Sequence, residues 1–329
     1  MRFIDLERLE DLQDWPPGKH SFQKYPPEKW RARLLQAQEE LRNASDSETR
    51  SKVFTKYGDL WSDVKIHLRT QSHDKCWYCE TSTRGFPGDI DHYRPKGNIA
   101  ETADHVGYWW LAFEWRNWRF VCRYCNSLNR DFVTGEVSGK GDSFPLLRGE
   151  ICRIKGPDEY EYYEELMREY PKLLDPTERE DTALITFTSE GMPEPVEENG
   201  DNYERAKASI EIYFLDRSML KNKRKEIFVQ VKSHVEDYQR FIRKWESEHN
   251  HSDYYLARRA GKALGRMIAK DAEYSMTAIT YLKEHLRRHP DWTWISTLLT
   301  SPSEPIYVSM YVPVTDTEPG AIDKPEESL

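Results

Sequence analysis

The chain lacks any long uninterrupted apolar run. No stretch approaches the roughly 20 consecutive apolar residues that a membrane-spanning helix needs. The start, MRFIDLERLEDLQDW, also lacks the apolar core of a secretory signal peptide, because charges interrupt every apolar pair. Hydrophobic residues make up 38% and charged residues 32% of the 329 residues, which is typical of a globular protein. The sequence therefore predicts a soluble, cytoplasmic protein.

Cysteine is scarce, and four of the five cysteines fall in two CxxC pairs. In a reducing compartment this favours metal binding or catalysis over a disulfide framework. Cys76 and Cys79 of CWYC with Cys122 and Cys125 of CRYC can close a four-thiolate site for structural Zn²⁺, which leaves no open position for catalysis. The alternative is four buried cysteines that happen to pair in sequence. Cys152 stands alone, and we expect it to be an ordinary small apolar residue.

Net positive charge is also absent, since the chain carries −9 at pH 7, but the charges are unevenly spread. Residues 158–204 have 16 acidic and 3 basic side chains, and residues 291–329 have 7 and 1. By contrast, residues 61–157 have 14 basic and 12 acidic side chains, and residues 205–290 have 19 and 11. The basic region is compatible with a phosphate-binding surface or with a solvated helix face.

Patterning divides the chain into five regions and shows no internal repeat. Apolar residues at helical spacing predict an N-terminal helical region, 1–72, and a C-terminal one, 201–290. Between them lie a compact zinc-stapled core, 73–150, and an acidic irregular insert, 151–200, with a strand-like ALITFT. Residues 291–329 form a Pro-rich acidic tail that we expect to be disordered at its end. The predicted fold class is α+β, mostly helical.

Several helix boundaries can be predicted. The prolines of PPEKWRARLLQAQEELRN mark a helix start, and SETRSKVFTKYGDLWSDVKIHLRTQSHDKC predicts one helix up to the first cysteine pair. The LDRS stretch near Asp216 predicts a turn. SDYYLARRAGKALGRMIA predicts a further helix with a Ser or Asp cap.

Between the cysteine pairs, GDIDHYRPKG predicts a short strand and a turn. Asp91 and His92 are adjacent, so on a regular strand their side chains point to opposite faces, whereas a twisted strand brings both to one metal-bound phosphate. Aspartate is an oxygen ligand for magnesium, and a neutral histidine accepts a proton from water. Arg94 and Lys96 add positive charge. A surface or capping histidine is the alternative.

Tryptophan is concentrated just before the second pair. We expect these rings to pack around the zinc, with base stacking as the alternative; they are Trp109, Trp110, Trp115 and Trp118. Asn117 precedes the second pair and Asn126 follows it directly. His92, Asn117 and Asn126 therefore occur in order inside the frame of the two cysteine pairs.

The order CxxC, Asp-His, Asn, CxxC-Asn resembles the zinc-stapled branch of the HNH (ββα-metal) nucleases, and the nine-residue step from Asn117 to Asn126 matches that family. The resemblance implies a β-hairpin and a helix that grip one divalent ion. It implies His92 as general base and Asp91 and Asn126 as ligands of a catalytic Mg²⁺ or Mn²⁺. Asn117 would hold the loop that carries the base. An asparagine at the third position keeps an oxygen ligand, which suits magnesium.

A narrower resemblance covers roughly residues 75–225. The segments CWYCE, DHYRPKG, GYWWLAFEWRNWRFVCRYCN, KGDSFPL, LLDPTERED, FTSEGMPEP and RAKASIEIYFLDRSML together resemble the PtuB family, the nuclease subunit of Septu-type and retron-linked anti-phage systems. This implies an ABC-type ATPase partner. The chain departs from the family in having Asp-His where the family usually has Glu-His. It also departs in LDRSML, where an asparagine-containing form is expected.

The sequence thus predicts a metal-dependent endonuclease that hydrolyses phosphodiester bonds of DNA or RNA. We expect Arg94, Arg123, Arg130 and Lys140 to grip the nucleic-acid backbone, with plain surface charge as the alternative for each. An inactive zinc-stapled binding or assembly module, held by an ATPase through its helices, is the alternative function.

Overall fold

A computed structural model describes residues 1–6, 25–86, 88–102, 105–148, 166 and 168–302. Cys152, the first part of the predicted acidic insert and most of the predicted tail lie outside the described residues. None of the described helices is both long and apolar enough to cross a membrane.

Three helices build the described N-terminal region: α1 (Pro27–Arg42), α2 (Ser47–Tyr57) and α3 (Asp59–Gln71). The start of α1 at a proline is confirmed, and Asp46 caps α2 by accepting a hydrogen bond from the Thr49 amide at 2.8 Å. The prediction of one helix from residue 47 to the first cysteine is wrong, because the chain turns at Gly58 between α2 and α3. Glycine has the weakest helix preference of any residue except proline.

The central module begins with β1 (Asp89–His92), which pairs antiparallel with β2 (Trp118–Val121). The pairing is regular and runs from Asp89 opposite Val121 to His92 opposite Trp118. A short helix, α4 (Arg123–Asn126), follows β2 directly, and β3 (Asn129–Arg130) then pairs with β4 (Val137–Ser138). Two single-turn 3₁₀ helices, Trp109–Leu111 and Trp115–Asn117, lie in the connection between β1 and β2.

Two further antiparallel pairs connect this module to the C-terminal helices. They are β5 (Leu146–Arg148) with β6 (Tyr170–Pro171), and β7 (Ile185–Phe187) with β8 (Pro193–Pro195). A 3₁₀ helix, Asp181–Ala183, precedes β7. The strand expected from ALITFT is confirmed as β7. Mostly helical architecture with small sheets is confirmed for the described residues.

Five helices follow, and most of them pack against one another: α5 (Asp201–Ile212), α6 (Ser218–Glu248), α7 (His251–Ile268), α8 (Ser275–Arg288) and α9 (Thr293–Thr300). The predicted cap of α7, Ser252 or Asp253, is wrong by two or three residues, because Asn250 is the N-cap and accepts from the Ser252 amide at 3.0 Å. Asparagine is as good an N-cap as serine or aspartate. The predicted tail is also wrong over α9, whose Ile295 and Leu298 are buried.

The β1–β2 pair separates two buried clusters. Trp118 and Phe120 point toward the N-terminal helices, where the Trp118 ring meets Trp30 of α1 at 6.4 Å between centroids. Val121 belongs instead to the cluster that contains the cysteines and the C-terminal helices. The four tryptophans were expected to pack around the zinc, but Trp109 and Trp118 are buried in the cluster with the N-terminal helices. The other two are half-buried and pack against that same cluster. Alternation along β2 therefore sends neighbouring side chains to different clusters.

Candidate functional site

The four cysteines of the two pairs converge, as predicted. The Sγ atoms of Cys76, Cys79, Cys122 and Cys125 all lie within 4.8 Å of one another, and those of Cys79 and Cys122 are 3.8 Å apart. A tetrahedral zinc with Zn–S bonds of about 2.3 Å requires sulfur separations of about 3.8 Å. Across the described ranges, no other group of three or more His, Cys, Asp or Glu side chains converges in this way. The donor set fits a metal ion such as zinc.

Each pair is shaped by its own backbone. The Glu80 amide donates to the carbonyl of Cys76 at 2.9 Å, and Glu80 takes a positive φ of 62° to close this turn. In the second pair, the amides of Cys125 and Asn126 both donate to the Cys122 carbonyl at 3.1 Å. Both turns present two sulfurs on one side, so a metal would lock local conformations that already exist.

Arg217 is a part of this centre that the sequence did not reveal. Its side chain is buried, and its guanidinium nitrogens lie 3.4 Å from the Sγ of Cys79, 3.6 Å from Cys125 and 3.9 Å from Cys122. Burial alone lowers the pKa of Arg217, but the neighbouring sulfur charges outweigh it and raise the pKa well above its ordinary value. Zn²⁺ with four thiolates carries a net charge of −2, so a permanent cation here offsets buried negative charge.

Burial and neighbouring charge act in opposite directions on the first pair. Burial raises the pKa of the Cys76 thiol well above its ordinary value. Burial acts the same way on Cys79, but hydrogen bonds from the other three cysteines and the charge of Arg217 outweigh it and hold that pKa well below its ordinary value. The Arg217 guanidinium therefore favours the thiolate form of Cys79, which is the form that binds a metal.

Asp91 and His92 point to opposite sides of β1. The Asp91 carboxylate is buried on the cysteine side, where Oδ2 accepts from the Tyr78 hydroxyl at 2.6 Å and Oδ1 accepts from the Lys140 ammonium at 2.8 Å. On the other side, the His92 ring meets the Trp61 ring edge-on at 5.2 Å. The regular pairing of β1 explains this divergence, and the twist that would bring both side chains together is not formed.

His92 is buried and held by a backbone carbonyl. Its Nε2 lies 2.9 Å from the carbonyl oxygen of Ala112. Burial, with the charge of Lys96 as the next cause, lowers the pKa of His92 well below its ordinary value. The imidazole is therefore neutral at pH 7, and because the carbonyl can only accept, Nε2 carries the proton and Nδ1 keeps its lone pair.

Asn117 clamps the loop that follows His92. Its Oδ1 accepts from the Arg94 amide at 2.8 Å, and its Nδ2 donates to the Arg94 carbonyl at 2.9 Å. Its backbone carbonyl also accepts from the Tyr93 amide at 2.8 Å. One side chain thus satisfies both backbone groups of Arg94 and fixes the loop two residues beyond His92.

Asn126 lies half-buried at the end of α4, beside the segment that carries Lys140. The Lys140 amide donates to the Cys125 carbonyl at 3.0 Å, and the Gly141 amide donates to the Asn126 carbonyl at 2.8 Å. Gly139 permits this approach, since its φ is +141° and a Cβ there would lie 1.9 Å from the Ser127 carbonyl oxygen. The segment delivers the Lys140 side chain from α4 to β1.

The four basic residues expected to grip a phosphate backbone occupy two kinds of place. Lys140 is 1% exposed and donates to Asp91 and to the His92 carbonyl, both at 2.8 Å, so it does not face solvent. Arg94 is half-buried and forms an ion pair with the buried Glu169 at 2.7 Å. Arg123 and Arg130 are exposed on α4 and β3. Only this second pair is free to meet a polyanion in the described arrangement.

Comparison with known proteins bears on this module. No protein-family model matches the chain. The chain is 30% identical over 180 residues to the Septu protein PtuB of Bacillus mycoides (strain KBAB4), which covers 53% of this chain and 53% of that protein. It therefore spans about half the length of the curated relative it matches. The similarity supports the predicted relation to the Septu proteins, whereas the HNH assignment and the ATPase partner stay predictions.

Proposed function

We propose that this is a Septu-type anti-phage defence protein whose cysteine-stapled module is a metal-dependent HNH endonuclease acting on DNA or RNA. The observation that carries the proposal is His92, a buried neutral imidazole with its Nε2 bonded to the Ala112 carbonyl. The strand–strand–helix order of β1, β2 and α4 beside the four cysteines supports it. So does the similarity to a Septu protein.

His92 is suited to act as a general base. Its protonated Nε2 is tied to a carbonyl, which leaves Nδ1 to take the proton of an attacking water. The low pKa keeps the ring neutral at physiological pH, so the base is present before substrate arrives. Asn117 fixes the backbone just beyond the ring, which limits how far the base can move from its working position.

Asp91 and Asn126 are the proposed ligands of a divalent ion. The Lys140 ammonium at 2.8 Å from Asp91 Oδ1 marks a point where this carboxylate already stabilises a positive charge. A carboxylate has about four lone-pair sites, so Tyr78 and Lys140 leave half of them free. Mg²⁺ or Mn²⁺ bound there supplies charge stabilisation for a reacting phosphate. Lys140 must then share Asp91 with the ion.

The inactive-module alternative is favoured by one observation. Asp91 and His92 are only 4% and 5% exposed, so neither presents an open surface to a phosphate. A module in this state would serve assembly rather than hydrolysis. A partner ABC-type ATPase, which we propose from the resemblance to Septu systems, is the natural agent to open it.

The test is cleavage of supercoiled plasmid and of RNA in Mg²⁺ and Mn²⁺, by the protein alone and with its co-expressed ATPase subunit. We expect His92→Ala to lower the rate by about 100-fold or more, since a general base contributes that much. His251→Ala is the matched control, because His251 is exposed at the start of α7. Normal cleavage by His92→Ala would refute the mechanism, and no cleavage by the native protein even with the ATPase would favour the inactive module.

A further inference from the structure

A groove of about 650 Å³ lies between α6 and α7, far along the chain from His92. Its lining is strongly basic, with Arg258, Arg259, Lys262 and Arg266 of α7 and with His234 of α6. The acidic side chain in this lining is Asp237, and its carboxylate already accepts from Arg240 at 2.7 Å. The four cations of α7 are therefore not neutralised by the one acid beside them.

Helical spacing aligns these cations. Arg258, Lys262 and Arg266 recur every four residues, and Arg259 lies beside them, so the set follows one side of α7. From residue 258 to residue 266 the helix rises about 12 Å. The same length of one DNA strand presents three to four phosphates. The number and spacing of the charges thus match a short stretch of nucleic-acid backbone.

The neighbouring helices treat their cations differently. In α6 and α8, several exposed bases pair with acids three or four residues away, as in Lys223–Glu226 at 3.0 Å, Arg240–Asp237 at 2.7 Å and Arg287–Glu284 at 2.8 Å, whereas Arg243 and Lys244 of α6 form no such pair among the described residues. Within the described part of the chain, none of the four α7 cations forms an ion pair or a side-chain hydrogen bond, and the buried Arg258 Nε has no partner. Like charges at this spacing destabilise a helix, and a bound polyanion would relieve them.

The surroundings of the groove favour nucleic acid over an acidic protein. Protein interfaces are depleted of charged residues at their centres, whereas here four uncompensated cations form the centre. Tyr255, which is 64% exposed, stands at one end of the row as a surface on which a base can stack. Just beyond the other end of α7, Lys75 donates to the carbonyls of Lys270 and Ala272 at 2.8 Å. That contact joins the segment after α7 to the residue before Cys76.

We propose that this basic groove, lined by Arg258, Arg259, Lys262 and Arg266, binds the phosphate backbone of the nucleic acid on which the protein acts. The identity of the ligand rests on the proposed nuclease function. The groove is a second attachment point, separate from His92, that holds the strand while the cysteine-stapled module engages it. Binding there depends on charge and not on base sequence.

The experiment measures binding apart from cleavage, by fluorescence anisotropy of a labelled duplex and a labelled single strand, over a range of salt concentrations. All proteins carry His92→Ala, so no substrate is consumed. The triple variant Arg259→Gln, Lys262→Gln, Arg266→Gln should reduce the slope of log K against log salt by about 2.7 for duplex or about 2.1 for a single strand. The matched control is Lys223→Gln, Lys232→Gln, Arg287→Gln, which removes three paired cations of α6 and α8 and should leave the slope unchanged.

Equal slopes of log K against log salt for the two triple variants would refute the proposal that the groove binds nucleic acid. So would an unchanged nucleic-acid affinity in a groove variant that no longer co-purifies with its ATPase subunit, since that result makes an acidic protein the occupant. The two proposals fail separately. If binding depends on the groove but the native protein never cleaves, the nuclease proposal is refuted. If the native protein cleaves normally but binding does not depend on the groove, only the groove proposal is refuted.

Discussion

The cysteine cluster and the Asp91–His92 pair lie in the same module and differ in how their side chains are brought together. The four Sγ atoms converge within 4.8 Å although the two pairs are far apart in sequence. Asp91 and His92 are neighbours in sequence and point to opposite sides of β1. Turns gather side chains, whereas a regular strand separates adjacent ones. The cluster can therefore act as a single clamp, whereas the pair must rearrange before both side chains can act on one phosphate.

The largest expected effect lies on the clamp side. Cys76→Ser should abolish metal binding and unfold the module, because zinc binding in small metal-stapled domains supplies most of their folding free energy. Metal content by elemental analysis and near-UV circular dichroism would measure this. The matched control is Cys152→Ser, which should keep one metal per chain. A well-folded, metal-free Cys76→Ser protein would contradict a structural role for the cluster.

The next largest effect concerns the Asp91–His92 pair and tests the ion pair that holds Asp91. Lys140→Met removes the cation that pairs with the buried Asp91 carboxylate, and breaking such a pair costs about 3–5 kcal/mol. We expect urea unfolding to show that loss without divalent ions and partial recovery in Mg²⁺, which would take the vacated position. Lys52→Met, whose partner Glu48 is exposed, should cost no more than about 1 kcal/mol. Equal costs for the two variants would show that Lys140 does not stabilise Asp91.

A smaller effect is expected from Arg217, which contacts the cysteine sulfurs without being a candidate metal ligand itself. Arg217→Met should weaken metal binding by about 10- to 100-fold, as removal of an outer hydrogen-bond donor usually does. Metal transfer to a chromophoric chelator measures the change. Arg217→Lys keeps the positive charge, so its metal affinity should lie between those of the native protein and Arg217→Met. The Co²⁺-loaded protein should also shift its thiolate charge-transfer bands, a readout that simple loosening of α6 would not produce.

The smallest effect is a pH dependence. The pKa of His92 in the folded protein lies well below its ordinary value. As the pH falls below about 6.5, His92 therefore becomes protonated in the unfolded chain while it stays neutral in the folded protein. Stability from this group is fully present above that pH and is lost as pH falls, by about 1.4 kcal/mol per unit. Urea midpoints for native protein and His92→Asn should converge as pH drops from 7 to 5. Parallel curves would indicate an ordinary pKa for His92.

The local features of the fold and of the cysteine site could be predicted from the sequence, because residue spacing constrains local geometry. The CxxC pairs, the proline start of α1 and the strand β7 all follow from short patterns. The helix break at Gly58 was missed, since a glycine lowers helix preference without forcing an end. A tail was expected where α9 forms, because the prolines nearby outweighed the short apolar pattern around Ile295.

Long-range contacts account for what the sequence could not show. Lys140 was expected at the surface, where lysine usually lies, and its burial depends on Asp91, 49 residues earlier. Arg217 is 92 residues from Cys125, and only the packing of α6 against the module brings them together. The basic composition of residues 205–290 did suggest a phosphate surface. The particular helix face became visible only when the paired cations of α6 and α8 could be distinguished from those of α7.

The most direct test of the central claim measures metal content and cleavage on the same preparations of native protein, His92→Ala and Cys79→Ser. If the clamp and the hydrolytic face are separate, His92→Ala keeps one tightly bound zinc per chain and loses cleavage, whereas Cys79→Ser loses both. Loss of zinc from His92→Ala, or cleavage at the native rate by that variant with its zinc retained, would contradict the account.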